Sequence, residues 1–284
     1  MWIFFDSHSK KVKSNGDRLR QKTINGAKYG FDENGIMIPW WSKVASISNA
    51  DKSNPSSDVS AWYYSGYDGG VLLKDSWFWM YPSENLDTED YYDQECSWWH
   101  TDERGEVYRN RIRKINGRSY AFDGIGRMQT GFVLFDGKSE FVARYEVDDW
   151  SSEDFIEGTI YGIEKSDLYL FSPDELNDGS MQIGKDIAVE LEDGVFHFGF
   201  ASNGKAFGNR NRLQKKEGMY YINGLRLEAD EEYGYGVVKV EDGADTYYQV
   251  VDTRGKVIEG KKKIVKDKEG GYLLIIRNRL VAWC

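Results

Sequence analysis

Residues 115–132 read Ile-Asn-Gly-Arg-Ser-Tyr-Ala-Phe-Asp-Gly-Ile-Gly-Arg-Met-Gln-Thr-Gly-Phe, and variants of this stretch recur along the whole chain. A unit met several times defines a repeat architecture, in which each copy packs on its neighbours rather than into one central core. Residues 119–122 form an alternating aromatic strand, residues 123–126 carry turn chemistry, and a short return strand follows. The expected unit is therefore a β-hairpin closed at 123–126. The expected fold class is all-β: an elongated solenoid of stacked β-hairpin repeats with acidic loop insertions. Thirty glycines, an aromatic content of 15% and only four prolines suit many short strands joined by tight turns.

Further copies lie at 26–35, where Asn34-Gly35 offers the positive φ of a tight turn, and at 62–70, 98–105, 198–204 and 218–224. Residues 2–10 look like an imperfect first copy. Residues 251–255 and 271–276 are degenerate, the last aliphatic in the manner of a capping repeat. The expected organisation is N-terminal repeats over 1–137, with insertions at about 42–60 and 84–95. An irregular acidic insertion over 138–167 follows, holding one short helix near 151–156, and C-terminal repeats occupy 168–284.

A net charge of −10 over 284 residues argues against a general nucleic-acid binder. Cys96 and Cys284 are too few for a disulfide framework, lack metal-ligand spacing, and as free thiols suit a reducing compartment; Cys96, beside aromatics, is expected to be buried. The start, Met-Trp-Ile-Phe-Phe-Asp, has no basic stretch and does not read as a signal peptide, and no run is long enough to span a bilayer. These features point to the cytoplasm, or to the cell surface if a leader was removed. His8, His100 and His197 stand in or beside repeat turns without a nucleophile context, and no phosphate-loop or metal motif is present. Neither an enzyme nor a cofactor is expected.

The unit Gly-x-x-Tyr-x-Phe-Asp-x-x-Gly-x-Met-x-Thr-Gly resembles the cell-wall-binding, or choline-binding, repeat of Gram-positive surface proteins and their phages. The resemblance implies a hairpin solenoid whose ligand sites are boxes of aromatic rings around a quaternary ammonium, held by cation–π attraction. The tryptophan that opens the family's aromatic strand corresponds to Trp2, Lys28, Trp98, Ser119 and His197. The second family tryptophan corresponds to Trp40, Phe132 and Lys185, while Arg18, Arg111 and Arg212 take its place in three other copies. An arginine does not wall a cation box, so most boxes read as dismantled.

The surviving ligand-binding candidates are Trp40, Trp41, Trp62, Tyr63 and Tyr64, with Trp77, Trp79, Trp98 and Trp99; the alternative is that these rings are core between hairpins. Arg18, Arg20, Arg111, Arg113, Arg212 and Lys215 form an expected basic ridge, continued by Lys261, Lys262 and Lys263, with Leu19, Ile112 and Leu213 turned inward. Against it stand acidic candidates for a partner surface: Glu84, Asp87, Glu89, Asp90, Asp93, Glu146, Asp148, Asp149, Glu231 and Glu232. Ridge and insertions either neutralise one another or form binding faces. Two functions follow. One is an intracellular protein–protein module, a regulator or inhibitor of a larger complex, nucleic-acid-handling complexes among the options. The other is a cell-wall, choline or glycan-binding module.

Overall fold

The computed structural model describes residues 1–15, 19–44, 61–66, 69–174, 178–243 and 245–283. The fold class is all-β, a succession of small antiparallel hairpin sheets, as the repeat predicts. By their contacts the residues form two compact units, 1–113 with 122–128, and 114–121 with 129–284.

The first unit holds the hairpins β1–β2 (Arg20–Ile24, Ala27–Phe31) and β3–β4 (Trp40–Val44, Ala61–Ser65). The hairpin β5–β6 (Ser76–Met80, Ser97–Thr101) carries helix α1 (Thr88–Asp93) between its strands. Strands β7 (Arg111–Ile115), β8 (Arg118–Phe122) and β9 (Met128–Gln129) form the next sheet, in the order β7-β8-β9.

The second unit opens with β10 (Gly131–Asp136), β11 (Phe141–Tyr145), helix α2 (Ser152–Glu157) and β12 (Ser166–Phe171), in sheet order β11-β10-β12. A five-stranded sheet follows, built from β13 (Gly184–Leu191), β14 (Gly194–Phe200), β15 (Gln214–Lys216), β16 (Met219–Ile222) and β17 (Leu225–Arg226) in the order β13-β14-β17-β16-β15. The chain ends in the hairpin β18–β19 (Tyr235–Asp242, Asp245–Asp252) and the sheet β20–β21–β22 (Lys262–Lys266, Tyr272–Ile276, Arg279–Trp283).

The tight turn of the repeat lies one strand earlier than residues 123–126. Asn116 and Gly117, at φ 49° and 88°, join β7 to β8, and Asn25-Gly26 and Asn223-Gly224 do the same in other copies. Positive φ at both central positions matches the twist of two-residue hairpins, and Asn-Gly adopts it at least cost. The reversal after the aromatic strand is of another kind. Asp123 Oδ1 accepts from the backbone N–H of Ile125, Gly126 and Arg127 at 3.0, 2.7 and 2.9 Å, while Asp123 N donates to Arg127 O.

The same side-chain bonds to the second and fourth N–H recur at Asp6, Asp102, Asp136 and Asp252. Each such loop brings back a short return segment: Thr101 bridges Val107 and Val251 bridges Val257. The return segment then bonds to an earlier hairpin. Val107 N donates to Trp62 O in the first unit, and Val257 N to Gly218 O in the second. These backbone bonds stitch successive repeats together. At Gly126, φ 114° and a Tyr108 carbonyl 2.8 Å from where a Cβ would stand exclude any side chain.

Three expectations need correction. The segment 138–167 is not irregular: β11 pairs along β10, and Phe155 and Ile160 enter the largest core with Phe132, Leu134, Phe198 and Phe200. Its helix stands where expected, with Ser151 N and Oγ both donating to Asp154 Oδ2 at 3.0 and 2.7 Å. A second helix, α1, occupies the acidic insertion 84–95, capped by Asp87, whose carboxylate accepts from Glu89 N and Asp90 N. Cys96 is half-exposed rather than buried, and the loop expected at 42–60 lies, from residue 45, outside the described residues. Leu19 is buried as predicted, while Ile112 and Leu213 are half-buried.

Replacing a buried acceptor that serves several donors costs about 1.5–3 kcal/mol. Asp123→Ala should lose about 3 kcal/mol in denaturant unfolding, and Asp252→Ala, whose bonds are exposed, about 1 kcal/mol. Equal losses at the two sites would contradict this account of the loop.

Candidate functional site

Alternation along β5 and β6 sorts the aromatic candidates onto two faces. Trp77 pairs with His100 and Trp79 with Trp98 across the hairpin, so these four share one face, while Phe78 and Trp99 share the other. The second face is core: Trp99 is fully buried and packs with Trp41, Trp62, Tyr64, Phe78 and Val107. Trp41 and Trp99 meet edge to face at 4.9 Å, and Tyr64 stacks on Phe78 at 4.4 Å. Tyr63 belongs to a separate core with Leu19, Ile38 and Leu72. On the first face, Trp79 is 39% exposed and lies 5.3 Å from Trp98, which is 6.3 Å from Trp77.

Trp40 has a different setting. It begins β3 at φ 61°, a left-handed conformation that strains a bulky residue, and its Nε1 is buried without a partner among the described residues. Its ring lies 5.3 Å from Tyr81 and 6.3 Å from Tyr91, and those two are 6.0 Å apart. All three rings are half-buried and inclined to one another by 64°, 50° and 52°, so none is covered by parallel stacking. The three rings thus gather their π-systems within one small cluster, and cation–π attraction reaches roughly 6 Å from a ring centroid.

The core holds the Tyr81 corner of the triangle. Trp41 Nε1 donates to Tyr81 O at 3.0 Å, and Trp99 Nε1 to Met80 O at 2.7 Å, fixing the backbone that carries Tyr81. Tyr91 is placed by α1. The Arg127 guanidinium lies 2.5 Å from Asp90, 2.9 Å from Asp123 and 3.5 Å from Asp87, tying the helix to the Asp123 loop. Burial opposes the Arg127 charge, but Asp123 and Asp90 outweigh it and hold the guanidinium above its ordinary value. The same segment presents Glu84, Glu89, Asp93 and Glu95, all exposed, so its field attracts cations.

Two acidic candidates, Asp87 and Asp90, are thus spent inside the fold. Glu84 accepts from Tyr92 Oη at 3.0 Å, Glu146 pairs with Arg144 at 2.5 Å, and Asp149 accepts from Glu146 N. Asp148, Glu231 and Glu232 are exposed. Of the basic ridge, Arg20, Arg111, Arg113, Arg212 and Lys215 are exposed and Arg18 lies outside the described residues. Arg113 lies over the Tyr108 ring at 5.5 Å. Among the described residues no group of three His, Cys, Asp or Glu side chains is placed to hold a metal ion, and no helix is long and apolar enough to cross a membrane.

Sequence reasoning named Trp40 but missed Tyr81 and Tyr91. The signal for Tyr91 was Asp87-Thr-Glu-Asp, an N-cap followed by acidic first-turn residues, which places the tyrosines on a helix rather than in a loop.

No protein-family model and no curated protein matches the sequence. Among solved structures, the chain is similar to CbpJ of Streptococcus pneumoniae TIGR4, with 16% identity over 99% of this chain and 94% of that one, at a TM-score of 0.43. It is also similar to choline binding protein F of Streptococcus pneumoniae, with 15% identity over 99% and 98% of the two chains, at a TM-score of 0.28. A third is the modular autolysin LytC of Streptococcus pneumoniae, with 13% identity over 92% of this chain and 53% of that one, at a TM-score of 0.29. The first two of these alignments run nearly the full length of both chains.

Two measurements check the placement of these rings. Trp99→Ala should cost about 3–5 kcal/mol in unfolding free energy, as for large aromatics deleted from a core, and Trp79→Ala less than about 1 kcal/mol. Burial pushes His100 below its ordinary value of 6.5, so the unfolded chain binds its proton first. The His100 contribution is therefore present above pH 6.5 and lost as the pH falls below it. His100→Phe should flatten that loss in a pH series of denaturation midpoints.

Proposed function

We propose that this chain is a non-enzymatic cell-wall-binding module that holds quaternary ammonium groups of the choline type on the rings of Trp40, Tyr81 and Tyr91. The observation that carries the reading is the three-ring cluster itself: half-buried rings around a strained tryptophan, beside an acidic segment. Trp40 also stands where the choline-binding repeat, which the sequence resembles, has its second tryptophan. Tyr91 comes from the inserted helix rather than from a repeat, so the cluster replaces a box that repeats alone no longer complete.

A cell-wall ligand implies action at the cell surface. The alternative, an intracellular regulator engaging a basic protein partner through its acidic insertions, is supported less well, because Asp87 and Asp90 are already committed to Arg127.

Tryptophan fluorescence titrated with choline tests the proposal, beside 3,3-dimethylbutanol, a neutral molecule of the same shape. Choline should bind and the neutral molecule should not. Loss of one cage ring, in Trp40→Ala or Tyr91→Ala, should raise Kd roughly thirtyfold, the equivalent of about 2 kcal/mol of cation–π attraction. Tyr91→Ala, on a surface helix, keeps the test valid if Trp40→Ala does not fold. Equal binding of the neutral molecule, or an unchanged Kd in Tyr91→Ala, would refute the proposal.

A further inference from the structure

A polar cleft of about 440 Å³ opens in the second unit between β12 and the loop that follows β14. Its shape comes from a tight reversal in which Asn209 N and Arg212 N each donate to the other's carbonyl at 3.0 Å. Asn209 Oδ1 accepts from Asn211 N at 3.0 Å, and Gln214 Oε1 accepts from Gly208 N at 2.8 Å. Each side-chain carbonyl is thereby held by one backbone bond, and the two NH₂ groups belong to residues that line the cleft and can donate there. Leu168 and Leu213 supply an apolar floor.

The charge of the lining is one-sided. Three cations, Lys205, Arg212 and Lys215, face the one carboxylate of Asp167. Asp167 is taken by Lys205 at 2.5 Å. Lys215 stands 3.7 Å from Glu259 and 5.3 Å over the Tyr220 ring, so its partner holds it loosely. Arg212 is exposed and makes no ion pair among the described residues. A cationic cleft persists here although the whole chain carries −10.

The residues name the ligand class. An arginine fork beside a lysine fits a phosphate oxygen pair, and fixed amide donors fit hydroxyl oxygens. An apolar floor accepts the C–H face of a sugar ring. No aromatic ring lines the cleft, so it offers nothing on which a base would stack, and its volume suits a small ligand. We propose that this cleft is a second binding site, for a phosphorylated sugar, with Arg212 and Lys215 holding the phosphate and Asn209 and Gln214 the hydroxyls. It is independent of the aromatic cluster and uses residues of the other unit.

The test is isothermal titration calorimetry of the full chain with glucose 1-phosphate, and with glucose, glucuronate and inorganic phosphate as comparisons. Glucose 1-phosphate should bind most tightly, and added salt should weaken it. Arg212→Ala should raise its Kd about tenfold or more, as expected for loss of a charge-assisted bond, with Arg212→Lys recovering part. Trp40→Ala should leave this binding unchanged, which separates the outcome from that of the choline titration. Equal binding of neutral glucose or of glucuronate, binding by inorganic phosphate as tight as by the sugar phosphate, or an unchanged Kd in Arg212→Ala would overturn the proposal. Both arginine variants change an exposed loop, and the unfolding midpoint checks that they remain folded.

Discussion

One carboxylate oxygen reaching back to two or three backbone N–H groups holds the reversal at Asp6, Asp102, Asp123, Asp136 and Asp252. Where Asp123 does this it is buried, accepts three backbone bonds and grips Arg127 as well. The loop does more than turn the chain. It delivers a return segment whose next N–H reaches an earlier hairpin, as Val107 reaches Trp62. Hairpins of five-residue strands are marginal alone, and these bonds give each one a neighbour on which to bury its rings.

Burying those rings decides which remain available. In β5 and β6 the period-two alternation sends Phe78 and Trp99 inward and leaves Trp77, Trp79 and Trp98 on the opposite face. Five of the nine aromatic candidates, Trp41, Trp62, Tyr63, Tyr64 and Trp99, are buried core. Those core rings still bear on the candidate site, because the indole N–H groups of Trp41 and Trp99 hold the carbonyls of Tyr81 and Met80. The acidic insertion works the same way. Asp90 and Asp87 fasten α1 to Arg127, and the fastened helix carries Tyr91 to Trp40.

The hairpin unit, the inward turn of Leu19 and the short helix near 151–156 were all legible, because each rests on neighbours in sequence: alternation, an Asn-Gly pair, a serine followed by an aspartate. The exact place of the tight turn was not. Asn-Gly and Asp-x-x-Gly are both turn signals, and only strand pairing shows that Asn116-Gly117 closes the hairpin while Asp123 closes the loop after it. The strand at 141–145 was missed because its repeat pattern lapses, although its partner β10 is among the most buried segments.

The sequence by itself determined the architecture, since a repeating strand-and-turn grammar leaves few ways to satisfy the backbone other than stacked hairpins. It also determined which residues were rings and which were charges. Only the tertiary structure decided their roles. Whether a tryptophan is core or surface depends on which face of its strand meets another hairpin, and Trp98 and Trp99 differ by a single step along β6. Tyr91 meets Trp40 from a helix tied down by a salt bridge between Asp90 and Arg127, residues far apart in sequence that no local pattern connects.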